Sequence, residues 1–180
     1  ISPHHMNFKG TITIEPNTLL SIVRDIAICL DKHGLQKLII INGHGGNIPT
    51  LNLALREIRE RTKLDAVLIN PWELISDVIK DVLESEIWGH ACEFETSIAL
   101  VIIPDKVRRE KIINPMIKEP KMKYAALWSP IKISTAWNTD EFTNTGSIGD
   151  PTKANEQKGE KLWNAMVERT LDVVKSFIKS

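Results

Sequence analysis

Apolar residues in the first half of the chain follow two different periods, and the change between them outlines the fold. Leu19, Ile22, Val23, Ile26 and Leu30 recur three or four positions apart, the spacing of a helix with one apolar face. Gly34 stands where that helix should stop. Lys37-Leu-Ile-Ile-Ile41 is instead a continuous apolar run between turn residues, which suits a parallel strand covered on both faces. A second helix is predicted from about Pro49 to Arg61, with Leu51, Leu55 and Ile58 on one side. A second buried strand is predicted from Leu64 to Ile69, stopped by Asn70 and Pro71. Ahead of them, Gly10-Thr-Ile-Thr-Ile14 alternates β-branched residues and predicts a short strand. This order of strands and helices implies βαβ units, hence an α/β fold with a mainly parallel sheet flanked by helices.

The second half is less regular. Glu73 to Leu83 reads as a helix, and Glu93 to Ile103 as a buried helix or a strand. Residues 104–145 carry scattered prolines, lysines and aromatics and are expected to be rich in loops. Asp150 can cap a last helix, with Pro151 in its first turn. Trp163, Met166, Val167, Leu171, Val174 and Ile178 form its apolar stripe, with Trp163 expected in the core.

Composition narrows the function classes. A chain of 180 residues fits one domain over 1–180, and 42% hydrophobic with 26% charged residues permits a packed core. Lysine plus arginine (23) equals aspartate plus glutamate (23), so there is no basic surplus for nucleic acid. No apolar run approaches the ~20 residues of a membrane-spanning helix. Two cysteines, Cys29 and Cys92, are too few for a disulfide framework, and a reducing cytoplasm is the simplest setting.

Two segments concentrate chemistry. Asn42-Gly-His-Gly-Gly-Asn47 lies between a predicted strand end and a helix start, where open α/β sheets bind ligands. Its glycines permit unusual backbone angles and close approach, and His44 can meet a metal or a substrate; a glycine turn with an incidental histidine is the alternative. The glycine spacing matches neither the Walker loop nor the GxGxxG fingerprint, which argues against a Rossmann-type nucleotide module. Gly89-His-Ala-Cys-Glu-Phe-Glu-Thr-Ser97 places His90, Glu93 and Glu95 within six residues. Imidazole and carboxylate suit a divalent metal or proton transfer, while two acids in a first helical turn also favour the helix dipole alone. Cys92 beside His90 leaves a cysteine nucleophile as a further alternative. His4 and His5, if on a strand, would point to opposite faces, so at most one should face a given site. Trp72, just after a predicted strand, is a candidate for a substrate pocket.

Taken together, Ser2-Pro-His-His5, Phe8-Lys-Gly-Thr-Ile12, Asn42 to Asn47, His90 to Ser97 and Gly146-Ser-Ile-Gly-Asp-Pro-Thr152 resemble the creatininase family over nearly the whole chain. The resemblance implies a three-layer α/β fold and a metal-dependent hydrolase of a small cyclic amide or formamide, in a cytoplasmic homo-oligomer, often a hexamer. It implies a divalent metal, zinc foremost with manganese or iron as alternatives, and two ions in the complete family site. His44 matches a metal ligand. Gly46 stands where creatininase carries a second ligand glutamate, and Glu93 is the candidate replacement. His90 matches a histidine that protonates the leaving nitrogen, and Glu95 a glutamate near the site. Ser2, Gly45 and Trp72 are the candidate substrate contacts. Gly45 replaces a creatininase tyrosine, which counts against creatinine itself.

Two departures accompany the resemblance. Cys92 stands where the family has glycine, which should crowd the site or restrict the backbone. The upstream Glu-x-His-Gly segment and an aspartate, which supply most ligands in the family, have no counterpart in these residues. An N-terminal strand and helix are therefore expected to be missing, the chain alone to bind metal weakly, and exposed apolar sheet surface to promote association. A non-catalytic fragment or companion subunit of such an oligomer is the alternative.

Overall fold

The computed structural model describes residues 1–125 and 133–180. The chain divides into two compact units, one of residues 1–2, 12–74 and 166–180, the other of 3–11 and 75–165.

The first unit is an α/β layer. Helix α1 spans Pro16–Lys32, strand β1 Lys37–Ile41, helix α2 Ile48–Arg61 and strand β2 Asp65–Ile69. Pro16 and Pro49 sit in the first turns of their helices, where a missing N–H costs nothing. Gly34 takes a left-handed φ of 79°, which lets the Leu35 N–H reach back 3.2 Å to the Leu30 carbonyl and closes α1. β1 and β2 pair in parallel with Lys37 opposite Asp65 and Ile41 opposite Ile69. Ala27, Ile58 and Leu64 are fully buried at the centre of this layer, with Val23, Leu30, Leu38, Ile40 and Ala66 packed around them. The periods read from the sequence thus place these four elements to within a residue or a few at each end.

The C-terminal part of helix α5 (Glu156–Lys179) belongs to this unit from residue 166 onward. Lys37 caps it, donating to the Phe177 carbonyl at 2.5 Å with its ammonium 5.0 Å from the Phe177 ring centre.

In the second unit, helix α3 covers Ser76–Val82, strand β3 Trp88–His90, helix α4 Glu93–Ile102 and strand β4 Ile148–Gly149. The ambiguous apolar stretch after Glu93 is therefore helical. β3 and β4 pair antiparallel, Trp88 opposite Gly149 and His90 opposite Ile148. α4 buries Phe94, Ser97, Ile98 and Leu100. A Cβ on Gly159, in the first turns of α5, would stand 2.0 Å from the Ser97 carbonyl oxygen, so a glycine is what permits this helix contact. Pro104–Lys106, Arg109–Lys111 and Thr139–Glu141 form short 3-10 turns inside the stretch expected as loop, and residues 126–132 of that stretch lie outside the described residues.

Three expectations are corrected. Gly10–Ile14 forms no strand, and Ile12 is 90% exposed, because alternation supplies no partner for a ladder by itself. Trp163 is exposed, as are Val167, Leu171 and Ile178. The residues of α5 that are buried are Gly159 and Leu162, one helical turn apart, so packing on α4 rather than the longest apolar stripe selects the buried face. His4 and His5 lie in a 3-10 turn, Pro3–His5, which Pro3 opens.

Candidate functional site

In the first unit, β1 ends directly in the Asn42–Asn47 loop. Asn42 is buried, and its side-chain amide makes four hydrogen bonds. Its Nδ2 donates to the His44 carbonyl at 2.9 Å and to Asn70 Oδ1 at 2.8 Å. Its Oδ1 accepts from the His44 N–H at 3.1 Å and from Asn47 Nδ2 at 3.2 Å. The backbone of His44 is thereby held from both its N–H and its C=O. The half-buried imidazole brings Nε2 to 3.1 Å from Ser2 Oγ. Asn47 Oδ1 accepts from the terminal amine of Ile1, and Ser2 N donates to Thr13 Oγ1 at 2.8 Å, so Ser2 is itself positioned.

The glycines of this loop do not use the left-handed region; the glycines with positive φ are Gly10, Gly34, Gly146 and Gly149. A Cβ at Gly43 or Gly45 would meet open space. What these two glycines provide is room beside His44. Trp72, half-buried in the turn after β2, belongs to the same unit.

In the second unit, β3 ends at His90 and α4 begins at Glu93, so a two-residue corner separates the imidazole from the helix. His90 stacks on His5 with ring centres 4.1 Å apart, and His4 lies 4.1 Å from His5 and 4.9 Å from Trp137, edge to face. His5 is buried, and its Nδ1 is 2.6 Å from the Thr139 hydroxyl. One ring nitrogen of His4 and one of His5 come within 4.8 Å of each other. His4, His5 and His90 thus pack ring against ring in this unit.

Glu93 is fully buried and hydrogen-bonded within the second unit. Its oxygens accept from the Glu84 N–H at 3.1 and 3.2 Å, the Ser85 N–H at 2.8 Å and Lys158 Nζ at 2.5 Å. Lys158 also donates to Glu84 Oε1 at 2.6 Å and to the Lys153 carbonyl at 2.8 Å. Burial acts to raise the Glu93 pKa, but the bonds from Lys158, Ser85 and Glu84 together bring it below the usual carboxylate value. For Lys158, burial acts to lower the pKa, and its carboxylate partners more than offset this and raise it. Glu93, the expected metal ligand, thus also ties the start of α4 to the 84–85 segment and to α5.

The family model for creatinine amidohydrolase, named Creatininase, matches residues 1–174. The chain belongs to the creatininase family. It is 26% identical over 181 residues to a creatinine amidohydrolase of Pseudomonas putida, covering 94% of this chain and 66% of that one. It is 28% identical over 178 residues to a mycofactocin precursor peptide peptidase of Mycobacterium ulcerans, covering 93% and 59%. Among solved structures, a Bacteroides fragilis protein superimposes with a TM-score of 0.79 at 26% identity, covering 96% and 66%. A mutant creatininase of Zn–Zn type gives 0.72 at 25% identity, covering 94% and 67%. The chain spans about 59–66% of the length of these curated relatives.

The family departure at Cys92 has a structural answer. Cys92 has an ordinary extended backbone, φ −94°, and the left-handed residue of the corner is Ala91, φ 45°. Room for the Cys92 side chain comes from Gly149, whose own Cβ would lie 2.7 Å from that of Cys92. Cys92 is fully buried, and burial pushes its thiol pKa up, which speaks against a nucleophilic thiolate. Glu95 is exposed and accepts from the Ala91 N–H, holding the corner next to His90.

The sequence reading gave no positioning role to Asn42, Asn70, Thr139 or Lys158, which hold these segments through hydrogen bonds. A signal existed for the first two. Each asparagine directly follows one of the two strands, and the parallel register that pairs Ile41 with Ile69 brings them side by side. Pro3 was the signal for the His4–His5 turn. Nothing local marks Lys158 as the partner of Glu93, 65 residues away.

Proposed function

We propose that this protein is a divalent-metal-dependent hydrolase acting on an amide C–N bond of a small molecule or short peptide. The observation that carries the reading is the Asn42 clamp, which fixes the backbone of His44 at the end of β1 and leaves open space at the neighbouring glycines. Family membership supports the reaction class, and the similarity to a peptide peptidase supports a small peptide as substrate beside the cyclic amides and formamides.

In this reading His44 is a ligand of the metal. A divalent ion, zinc foremost and manganese or iron otherwise, supplies Lewis-acid activation of the carbonyl and of water when bound. Ser2 holds the imidazole of His44 and meets the substrate, with Gly45 leaving room and Trp72 contributing an apolar wall. His90 donates a proton to the departing nitrogen, the step without which an amide does not leave. His5 packs against that ring and Thr139 fixes His5, so the proton donor has a set orientation. Glu95 holds the Ala91 N–H, and Glu93 with Lys158 anchors the same corner. Assembly into a homo-oligomer in the cytoplasm, a hexamer by the family resemblance, belongs to this reading.

The test is elemental analysis of metal per chain together with hydrolysis of creatinine, formamides and short peptides, in wild type, His44→Ala and His90→Asn. His44→Ala is expected to lose metal and turnover, and His90→Asn to keep metal but lose turnover. Full metal-dependent hydrolysis by His44→Ala would sink the reading, and would favour a companion-subunit role.

A further inference from the structure

We propose that the cavity flanking the Ala91–Ala99 face of α4 binds an acidic peptide segment; this rests on the amide-hydrolase reading and names the peptide arm of its substrate class. The cavity has a volume of about 670 Å³ and lies wholly within the second unit. That is within the roughly 300–1,000 Å³ of sites that take drug-sized ligands, and ample for a few residues. Lys106, Arg108 and Lys111 line it from one loop, with Glu95 the sole carboxylate among its lining residues.

The charge balance is what assigns the ligand. Among the described residues, none of the three cations has a salt-bridge partner, whereas neighbouring Arg109 is paired with Glu156. Glu95 is already engaged by the Ala91 N–H. Three like charges facing one cavity against one carboxylate repel one another, and an anionic ligand relieves that repulsion. Val107, Ile112 and Ala99 add apolar surface to the same cavity, which a bare inorganic anion would not use. A peptide with acidic and apolar side chains satisfies both. Ala91, directly after His90, also lines the cavity, so a peptide seated there runs up to the proton donor.

The experiment is calorimetric titration of the 180-residue protein with acetyl-Leu-Glu-Leu-Asp and with its amide counterpart acetyl-Leu-Gln-Leu-Asn, at low and high salt. The acidic peptide is expected to bind at least about tenfold tighter, with the gap narrowing as salt rises. The triple variant Lys106→Gln, Arg108→Gln, Lys111→Gln should lose that preference. Should the triple variant fold poorly, Arg108→Gln alone, at an exposed position, should weaken the acidic peptide by about threefold. Equal affinity for the two peptides, no binding of the acidic one, or full displacement by acetate would overturn the proposal. His90→Asn separates it from the catalytic reading: that variant should lose turnover and keep peptide binding. A wild type that hydrolyses amides yet ignores the acidic peptide would overturn this inference alone.

Discussion

The protein has two strand-to-helix corners that carry a histidine, and they are held in opposite ways. The Asn42–Asn47 corner is fixed by a buried neutral amide whose four bonds go to backbone and amide groups. The His90–Glu93 corner is fixed by a buried carboxylate whose charge is matched by Lys158. Both solutions satisfy the backbone of a turn that leaves regular structure. The amide does so at little electrostatic cost. The ion pair must recover a desolvation penalty, and in return it links three distant segments, 84–85, the start of α4 and α5. The comparison teaches that the second corner should depend on pH and on both partners being present, and the first should not.

The largest expected effect comes from breaking the charge anchor. Lys158→Met leaves Glu93 buried and unmatched and should cost about 3–5 kcal/mol in denaturant unfolding. A loss below ~1 kcal/mol would mean that the pair is not carrying the corner. Next, Gly149→Ala puts a Cβ 2.6 Å from the Ile87 carbonyl oxygen at φ 120°, and should cost about 2–3 kcal/mol. A neutral result would show that the Cys92 side chain has other room. Asn42→Ala removes the neutral clamp and strands buried partners, for about 2 kcal/mol by thermal melting; a loss as large as that of Lys158→Met would erase the contrast drawn here.

The pH prediction is smaller and sharper. The folded pKa of Glu93 lies below its unfolded value, so its contribution is present above the unfolded pKa, about 4.3, and is lost as pH falls through the folded value. The folded pKa of Lys158 is raised, so its contribution is present below about 10.4 and is lost only as pH rises through the folded value. Amide exchange at the Glu84 and Ser85 N–H groups should therefore accelerate relative to that of His44 once pH falls below about 4. Parallel loss of protection at both corners would contradict separate anchoring. The smallest effect is expected for Ala91→Gly. Relief of a left-handed alanine, roughly 1 kcal/mol, nearly offsets the added freedom of the unfolded chain, so unfolding midpoints should barely move.

Which features were readable follows from where their causes lie. α1, β1, α2 and β2 were legible because their own periods and end residues specify them. His44 and His90 were legible as motif residues at strand ends. The hydrogen-bond partners of Glu93 were not, because Lys158 is brought in by α5 from 65 residues away. Likewise the left-handed position at Ala91 rather than Cys92 depends on β3 pairing with β4, which sets Gly149 beside the corner.

By itself the sequence determined the run α1, β1, α2, β2, the α/β class and the family, since hydrophobic period and short motifs act through neighbours along the chain. Only the tertiary structure decided which polar groups are satisfied and by whom. Asn42 meets Asn70, His5 stacks on His90, and Glu93 is neutralised by Lys158, because a buried polar group must find a partner and the fold, not the local sequence, brings that partner within reach.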